Sequence, residues 1–243
     1  MTNEEAHRLA RDRGAWGPGY RLIRWILMPL LRLWFRVRIT GAENIPEHGA
    51  AIVVPNHKSF LDSFFIALAT KRHLRFMGKS ELFEGIWGRP FVALGAFPVR
   101  RGAADEDALE TAREILRQGE LLALFPEGTR VREPTELGAP KRGAARLALE
   151  AGAPMIPAAI TGSDHIWLGP FPKPKRVQVA FAAPIPVEDI DPTPEAAGQL
   201  IEDAVWPEVE REFKGLLSRP TVIAAGLAVI GLGGAAAVRR RRR

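Results

Sequence analysis

The sequence predicts an α/β domain with a mostly parallel or mixed central sheet flanked by helices. Short apolar runs rich in β-branched residues alternate with segments of helical periodicity between residues 35 and 181. Gly, Pro and polar turn residues bound most of these runs. At 243 residues, 47% of them hydrophobic, the chain can also bury one substantial core.

In chain order, FRVRI (35–39) and AIVVP (51–55) read as strands. Residues 60–70 read as a helix and LRFMG (74–78) as a strand. An irregular segment through Trp87 and Pro90 leads to a strand at 97–99. Residues 105–118 place Ala108, Leu109, Ala112, Ile115 and Leu116 on one helical face, closed by Gly119. LLALF (121–125) is a fully apolar strand, and KRGAARLALEAGAP (141–154) is a helix that ends at Gly152 before Pro154. MIPAAI (155–160) and VQVAF (177–181) follow as strands. Thr193 and Pro194 suit a helix start, and that helix runs toward Leu217 with a break at Pro207. The proline-rich stretch 169–194 reads as loops around one strand.

Two flanking segments differ from this core. In YRLIRWILMPLLRLWFRVR (20–38), Arg21, Arg24, Arg32 and Arg36 form a helical stripe, with Trp25 and Trp34 beside it and a kink expected at Pro29. That pattern fits a bilayer interface, or else a helix packed on the protein's own core. Residues 221–238 are 18 residues without a charge, followed by Arg239 to Arg243. At roughly 27 Å such a helix is short for a span, and the arginines favour an anionic lipid surface. A shallow or re-entrant insertion, a tilted span and a basic tail are all open for it. Residues 1–19 are polar and charged, so no cleavable signal peptide is expected. The expected organisation is an interfacial helical segment at 1–38, the main domain at 39–217, and an apolar segment with a polyarginine end at 218–243.

Composition excludes several chemistries. Without cysteine there are no disulfides or thiol nucleophiles, and the five scattered histidines make a metal site improbable. The terminal arginines account for all but +1 of the net charge of +6, so no nucleic-acid partner is expected.

Four stretches carry the chemistry. In VVPNHKSFLDSFF (53–65), His57 and Asp62 are separated by four residues, between a strand and a helix. Ser59 with Asp62 fits a capping box. On a continuous helix the two side chains would point about 140° apart, so they meet only if His57 stands outside the first turn and bends back. An imidazole held by a carboxylate is a competent general base, while no G-x-S-x-G elbow offers a covalent nucleophile. Backbone N–H groups at this helix start are candidates for an oxyanion site. Downstream, GKSELF (78–83) supplies Lys79, GAFPVRRG (95–102) supplies Arg100 and Arg101, and ALFPEGTRVRE (123–133) makes a sharp turn bearing Arg130. Four cations in turns near apolar strands point to a convergent anion site.

These residues resemble the 1-acylglycerol-3-phosphate acyltransferases of the glycerolipid acyltransferase superfamily. Asn56-His57-x4-Asp62 is similar to the family's first block, Lys79-Ser80-Glu81-Leu82 with Gly95 to Arg100 to its second, and Phe125 to Arg130 to its third. Met155-Ile156-Pro157-Ala158 stands where the fourth is expected. The resemblance covers roughly residues 35–185. Val99 replaces a frequent acidic residue, and the fourth block is less regular. The resemblance implies a glycerolphosphate acyltransferase-like fold and transfer of a fatty acyl group to the sn-2 hydroxyl of lysophosphatidic acid, giving phosphatidic acid. It implies no cofactor; the donor is an acyl-CoA or acyl-carrier-protein thioester. His57 would take the hydroxyl proton and Asp62 would orient it. Lys79 and Arg130 would hold the phosphate with Arg100 or Arg101 assisting, in a turn shaped by Glu127, Gly128 and Thr129. The implied location is the cytoplasmic face of the cell membrane, on an anionic surface. Another acceptor (glycerol 3-phosphate, a different lysophospholipid or a glycolipid) and a non-catalytic lipid-binding protein are the alternatives.

Overall fold

The computed structural model describes residues 1–12, 17–100, 102, 105–169 and 171–218. Arg101 and the apolar segment 221–238 therefore lie outside the described residues.

A seven-stranded sheet forms the centre. Its strands in chain order are β1 (Arg38–Thr40), β2 (Ala51–Pro55), β3 (Leu74–Lys79), β4 (Ala96–Val99), β5 (Leu121–Ala123), β6 (Met155–Thr161) and β9 (Gln178–Phe181). Their spatial order is β1-β9-β6-β2-β5-β3-β4. A small separate hairpin pairs β7 (Trp167–Leu168) with β8 (Phe171–Pro172). Strands β6, β2, β5, β3 and β4 are mutually parallel, and β9 is antiparallel to β6. Strand β1 runs parallel to β9, so these two oppose the other five. β2 and β6 are buried along their whole length, as strands covered on both faces must be. Their apolar, β-branched sequences follow from that burial.

Helices cover the sheet: α1 (Asn3–Arg11), α2 (Gly17–Trp34), α3 (Asp62–Ala67), α4 (Gly88–Ala93), α5 (Glu106–Arg117), α6 (Gly143–Ala151), α7 (Pro194–Gln199) and α8 (Trp206–Ser218). Asp105 caps α5 by accepting from Ala108 N, and Thr193 caps α7 by accepting from Ala196 N. The break expected at Pro207 takes the form of a π-helical stretch, Leu200–Val205, just ahead of α8. A proline without an N–H cannot continue the hydrogen-bond ladder of the turn before it, and the extra residue per turn absorbs that loss. Gly95 shows how tightly β4 enters the sheet. Its φ is +96°, and an added Cβ would fall 2.3 Å from Leu74 O.

Helix α2 reconciles the two readings of its sequence. Met28 and Phe35 are buried against the core, while Leu22, Ile26, Leu30 and Leu33 project outward, Leu33 with 79% of its surface exposed. It is one continuous helix with Pro29 inside it. Among the described residues no helix is long and apolar enough to cross a membrane.

Candidate active site

The five parallel strands deliver their carboxyl ends to one edge of the sheet, and the loops there build the site. Strand β2 ends at Pro55. Asn56 then fixes the next turn by a reciprocal pair of hydrogen bonds to Ile160 of β6, Nδ2 donating at 3.1 Å and Oδ1 accepting at 2.7 Å. His57 follows, nearly buried. Its Nδ1 lies 2.9 Å from Asp62 Oδ2, and its ring packs on Phe125 with centroids 4.1 Å apart.

Asp62 is fully buried, and its Oδ2 also accepts from the backbone N–H groups of Lys58 (2.6 Å) and Ser59 (2.7 Å). The carboxylate therefore ties down the loop ahead of α3 and holds the imidazole with the same oxygen. It fixes the Nδ1–H tautomer and leaves Nε2 for proton transfer. The capping box is half realised: the carboxylate reaches back as expected, but Ser59 Oγ accepts from Leu61 N at 3.3 Å rather than from Asp62. The N–H groups of Lys58 and Ser59 serve Asp62, and that of His57 donates to Glu127 Oε1 at 3.4 Å, so these three are not available to an oxyanion.

His57 opens onto a cavity of about 510 Å³ whose lining includes Phe60, Phe76, Leu82, Phe83 and Phe91. Among the described residues five cations also line it, namely Lys79, Arg100, Arg130, Lys141 and Arg146, against one carboxylate, Asp105. Lys79 pairs with Glu81 at 2.7 Å, Arg100 with Asp105 at 3.3 Å and Arg146 with Glu150 at 3.4 Å. Arg130 and Lys141 have no carboxylate partner among the described residues. The turn after β5 sets these two together. Gly128 has φ +69°, and Lys141 Nζ passes so close that an added Cβ would meet it at 2.9 Å. Lys141 N donates to Pro126 O at 2.9 Å, which holds the approach in place.

The sequence-predicted residues thus fall into groups. His57, Lys79, Arg100, Gly128 and Arg130 line one cavity. Asp62 stands behind His57, and Glu127 is buried beneath the His57 backbone rather than in the cavity wall. Burial raises the Glu127 carboxyl to about 7, and a group so placed shapes the turn rather than contacting an anion. Thr129 is exposed on the turn. Sequence reasoning missed Lys141, two residues ahead of α6, and Arg146 in its first turn, because the stretch 141–154 was read only as a helix. The nearness of Lys141 to a glycine with positive φ follows from the fold alone.

Sequence reasoning also passed over Lys58, whose side chain is buried beside the site. Its Nζ donates to the carbonyls of Glu133 (2.6 Å) and Glu136 and lies 5.0 Å from the Phe213 ring centroid. Val131 N donates to His57 O at 2.9 Å. The loop following Arg130 is therefore fastened to the loop carrying His57. Among the described residues no group of three His, Asp or Glu side chains could hold a metal ion.

Comparison with known proteins converges on this geometry. A family model described as Acyltransferase matches residues 36–161. A 1-acyl-sn-glycerol-3-phosphate acyltransferase of Bacillus subtilis is 30% identical over 145 residues, which is 59% of this chain and 71% of that protein. A chloroplastic enzyme of the same description from Arabidopsis thaliana is 31% identical over 137 residues, 55% of this chain but only 38% of that longer protein. The crystal structure of a 1-acyl-sn-glycerophosphate (LPA) acyltransferase, PlsC, from Thermotoga maritima superposes with a TM-score of 0.67 at 25% identity, covering 87% of this chain and 83% of that one. The mixed sheet and its flanking helices therefore belong to a known architecture. This chain is a member of the acyltransferase family, among its 1-acylglycerol-3-phosphate acyltransferases.

Proposed function

We propose that the protein transfers a fatty acyl group from an acyl thioester to the sn-2 hydroxyl of lysophosphatidic acid, forming phosphatidic acid for phospholipid synthesis. The observation that supports this most directly is one cavity lined by His57, held at Nδ1 by Asp62, and by a group of cations that includes Arg130 and Lys141. Nε2 of His57 takes the acceptor's hydroxyl proton as the oxygen attacks the thioester carbonyl. The carbon–sulfur bond then breaks, and the departing sulfur takes the proton back from the imidazolium. Arg130 and Lys141, with Lys79 and Arg100, hold the acceptor's phosphate by charge-assisted contacts. The phenylalanines of the wall accept the apolar chain. The donor is an acyl-coenzyme A or acyl-carrier-protein thioester, and no further cofactor takes part.

Helix α2 supports placement at a bilayer surface; the cytoplasmic face is part of the same proposal and rests on the family resemblance alone. The outward side of α2 exposes Leu22, Ile26, Leu30 and Leu33, with Trp25 and Trp34 beside them. That combination suits the interfacial region of a membrane.

The test is thiol release from acyl-coenzyme A with and without lysophosphatidic acid, in the wild type and in His57→Ala. Release should require the acceptor and fall by a factor on the order of 10²–10⁴ in the variant, with the thermal melt retained. A panel of glycerol 3-phosphate, other lysophospholipids and glycolipids places the acceptor. Absence of release with every acceptor would leave a lipid-binding role, and release without any acceptor would mark a hydrolase.

A further inference from the structure

The chain between β6 and β9 folds back as the β7–β8 hairpin, which takes no part in the chemistry above. Its base is firmly built. Gly162 turns the chain at φ +78°, where an added Cβ would fall 2.0 Å from Arg176 O. Buried Asp164 accepts from Lys175 Nζ twice, at 2.5 Å on Oδ2 and 2.8 Å on its carbonyl oxygen. Lys173 N donates to Ile166 O at 2.6 Å. Yet this base holds large apolar side chains out into solvent: Leu168 is 68% and Phe171 73% exposed, with Trp167 beside them. A contiguous apolar cluster held outward by an ordered base marks a contact surface.

The surroundings indicate what it contacts. Trp34 Nε1 donates to Pro172 O at 3.2 Å, so the hairpin joins the end of α2 and its outward apolar stripe. Charge around both segments is net positive, although Lys175 is neutralised by Asp164 at the hairpin's base. Residues 13–42 contain six arginines and no acidic residue, and residues 165–187 contain Lys173, Lys175 and Arg176 and no acidic residue. Apolar side chains rimmed by cations complement an anionic bilayer, where the former reach hydrocarbon and the latter meet lipid phosphates. A second copy of the same surface would set arginine against arginine.

The topology gives this contact a purpose. β6 and β2 are parallel, so the hairpin and His57 leave the sheet at the same edge. β9 and β1 begin there, with Gln178 opposite Thr161 and Arg38 opposite Gln178. Helix α2 starts at the other edge, where Tyr20 packs on His73 just before β3 at a ring distance of 3.6 Å. Its stripe alone therefore follows the flank of the sheet. The hairpin carries the apolar contact round to the edge that bears the cavity. We propose that β7–β8 is a second membrane contact that acts with α2 to hold the cavity edge against an anionic bilayer. The proposal rests on the interfacial reading of α2 and is independent of the acyl-transfer chemistry.

The full chain is sedimented with phosphatidylcholine vesicles rich in phosphatidylglycerol and with phosphatidylcholine alone. The wild type should bind the anionic vesicles and be released by salt. Leu168→Asp with Phe171→Asp should weaken partition by on the order of 100-fold, since each large apolar side chain contributes about tenfold or more. Thiol release with a short-chain, water-dispersed lysophosphatidic acid should stay at the wild-type rate, and an unchanged thermal melt shows folding even if no acyl transfer is found. The chain has no cysteine, so a dye on Leu168→Cys reports one site. Its emission should shift to the blue on anionic vesicles, while a dye on Arg117→Cys, at the opposite edge, should not shift. Wild-type partition by the double variant, an unshifted dye on vesicle-bound protein, or a shift that follows protein concentration without lipid would each overturn the proposal.

Discussion

Lys141 illustrates how a single side chain acquires a role from its neighbours. Its ammonium passes over a glycine in the left-handed region and lines the same cavity as Arg130, with no carboxylate among the described residues to neutralise either. A charge-assisted contact contributes about 1.5–3 kcal/mol. Lys141→Ala should therefore raise KM for lysophosphatidic acid by roughly tenfold to a hundredfold, with kcat changed far less, in steady-state assays. Glu127 makes the opposite case, a carboxyl denied a charge by burial. Because its folded value of about 7 lies above the ordinary 4.5, the folded protein holds an extra proton between those values. The stability this group contributes is complete below about pH 4.5 and is lost as pH rises through 7. Thermal melts should show the wild type losing stability relative to Glu127→Gln between about pH 5 and pH 8. His57 and Asp62 were legible because their spacing and the turn between strand and helix are local. Lys141, Arg146 and Lys58 were not, since their partners lie across the fold.

Among the elements, α2 is held to the body by contacts that respond to acid. Tyr20 packs edge-on against His73, and Arg24 donates to the carbonyl of Thr70. Burial, with Arg75 and Arg24 nearby, lowers His73 from 6.5 to about 4. Keeping this imidazole neutral adds stability above about pH 6.5 that is lost as pH falls toward 4. The tryptophan emission of α2 should shift as acidification passes through about pH 4, and His73→Gln should flatten that response. Most strands of the sheet were legible as apolar runs, but β1 is the partly exposed Arg38–Thr40, which shares only Arg38 and Ile39 with the expected 35–39, and β5 stops at Ala123, short of the expected Phe125, because Phe125 already turns under His57. Helix α1 went unread despite its signal: Thr2 Oγ1 accepts from Glu5 N at 3.1 Å, the start expected of Thr-x-x-Glu. The hairpin β7–β8 was hidden among prolines, which mark loops without saying where an outward turn will be held.

For the molecule as a whole, alternation of strands and helices gave the α/β class, and the mixed sheet is seen in the reversal of β1 and β9. Which strands adjoin was not legible, because parallel pairing is decided by packing between distant segments. That adjacency makes the site: β2 and β5 are neighbours, so the loop of the imidazole and the loop of Arg130 emerge side by side. Lys58 then staples one loop to the other through the carbonyls of Glu133 and Glu136. The staple turns the two loops into a ruler. On the proposed reading, a proton acceptor and cations held by joined loops would select an acceptor by how many bonds lie between its free hydroxyl and its phosphorus. A molecule of the wrong length would then touch one end of that gauge or the other, never both.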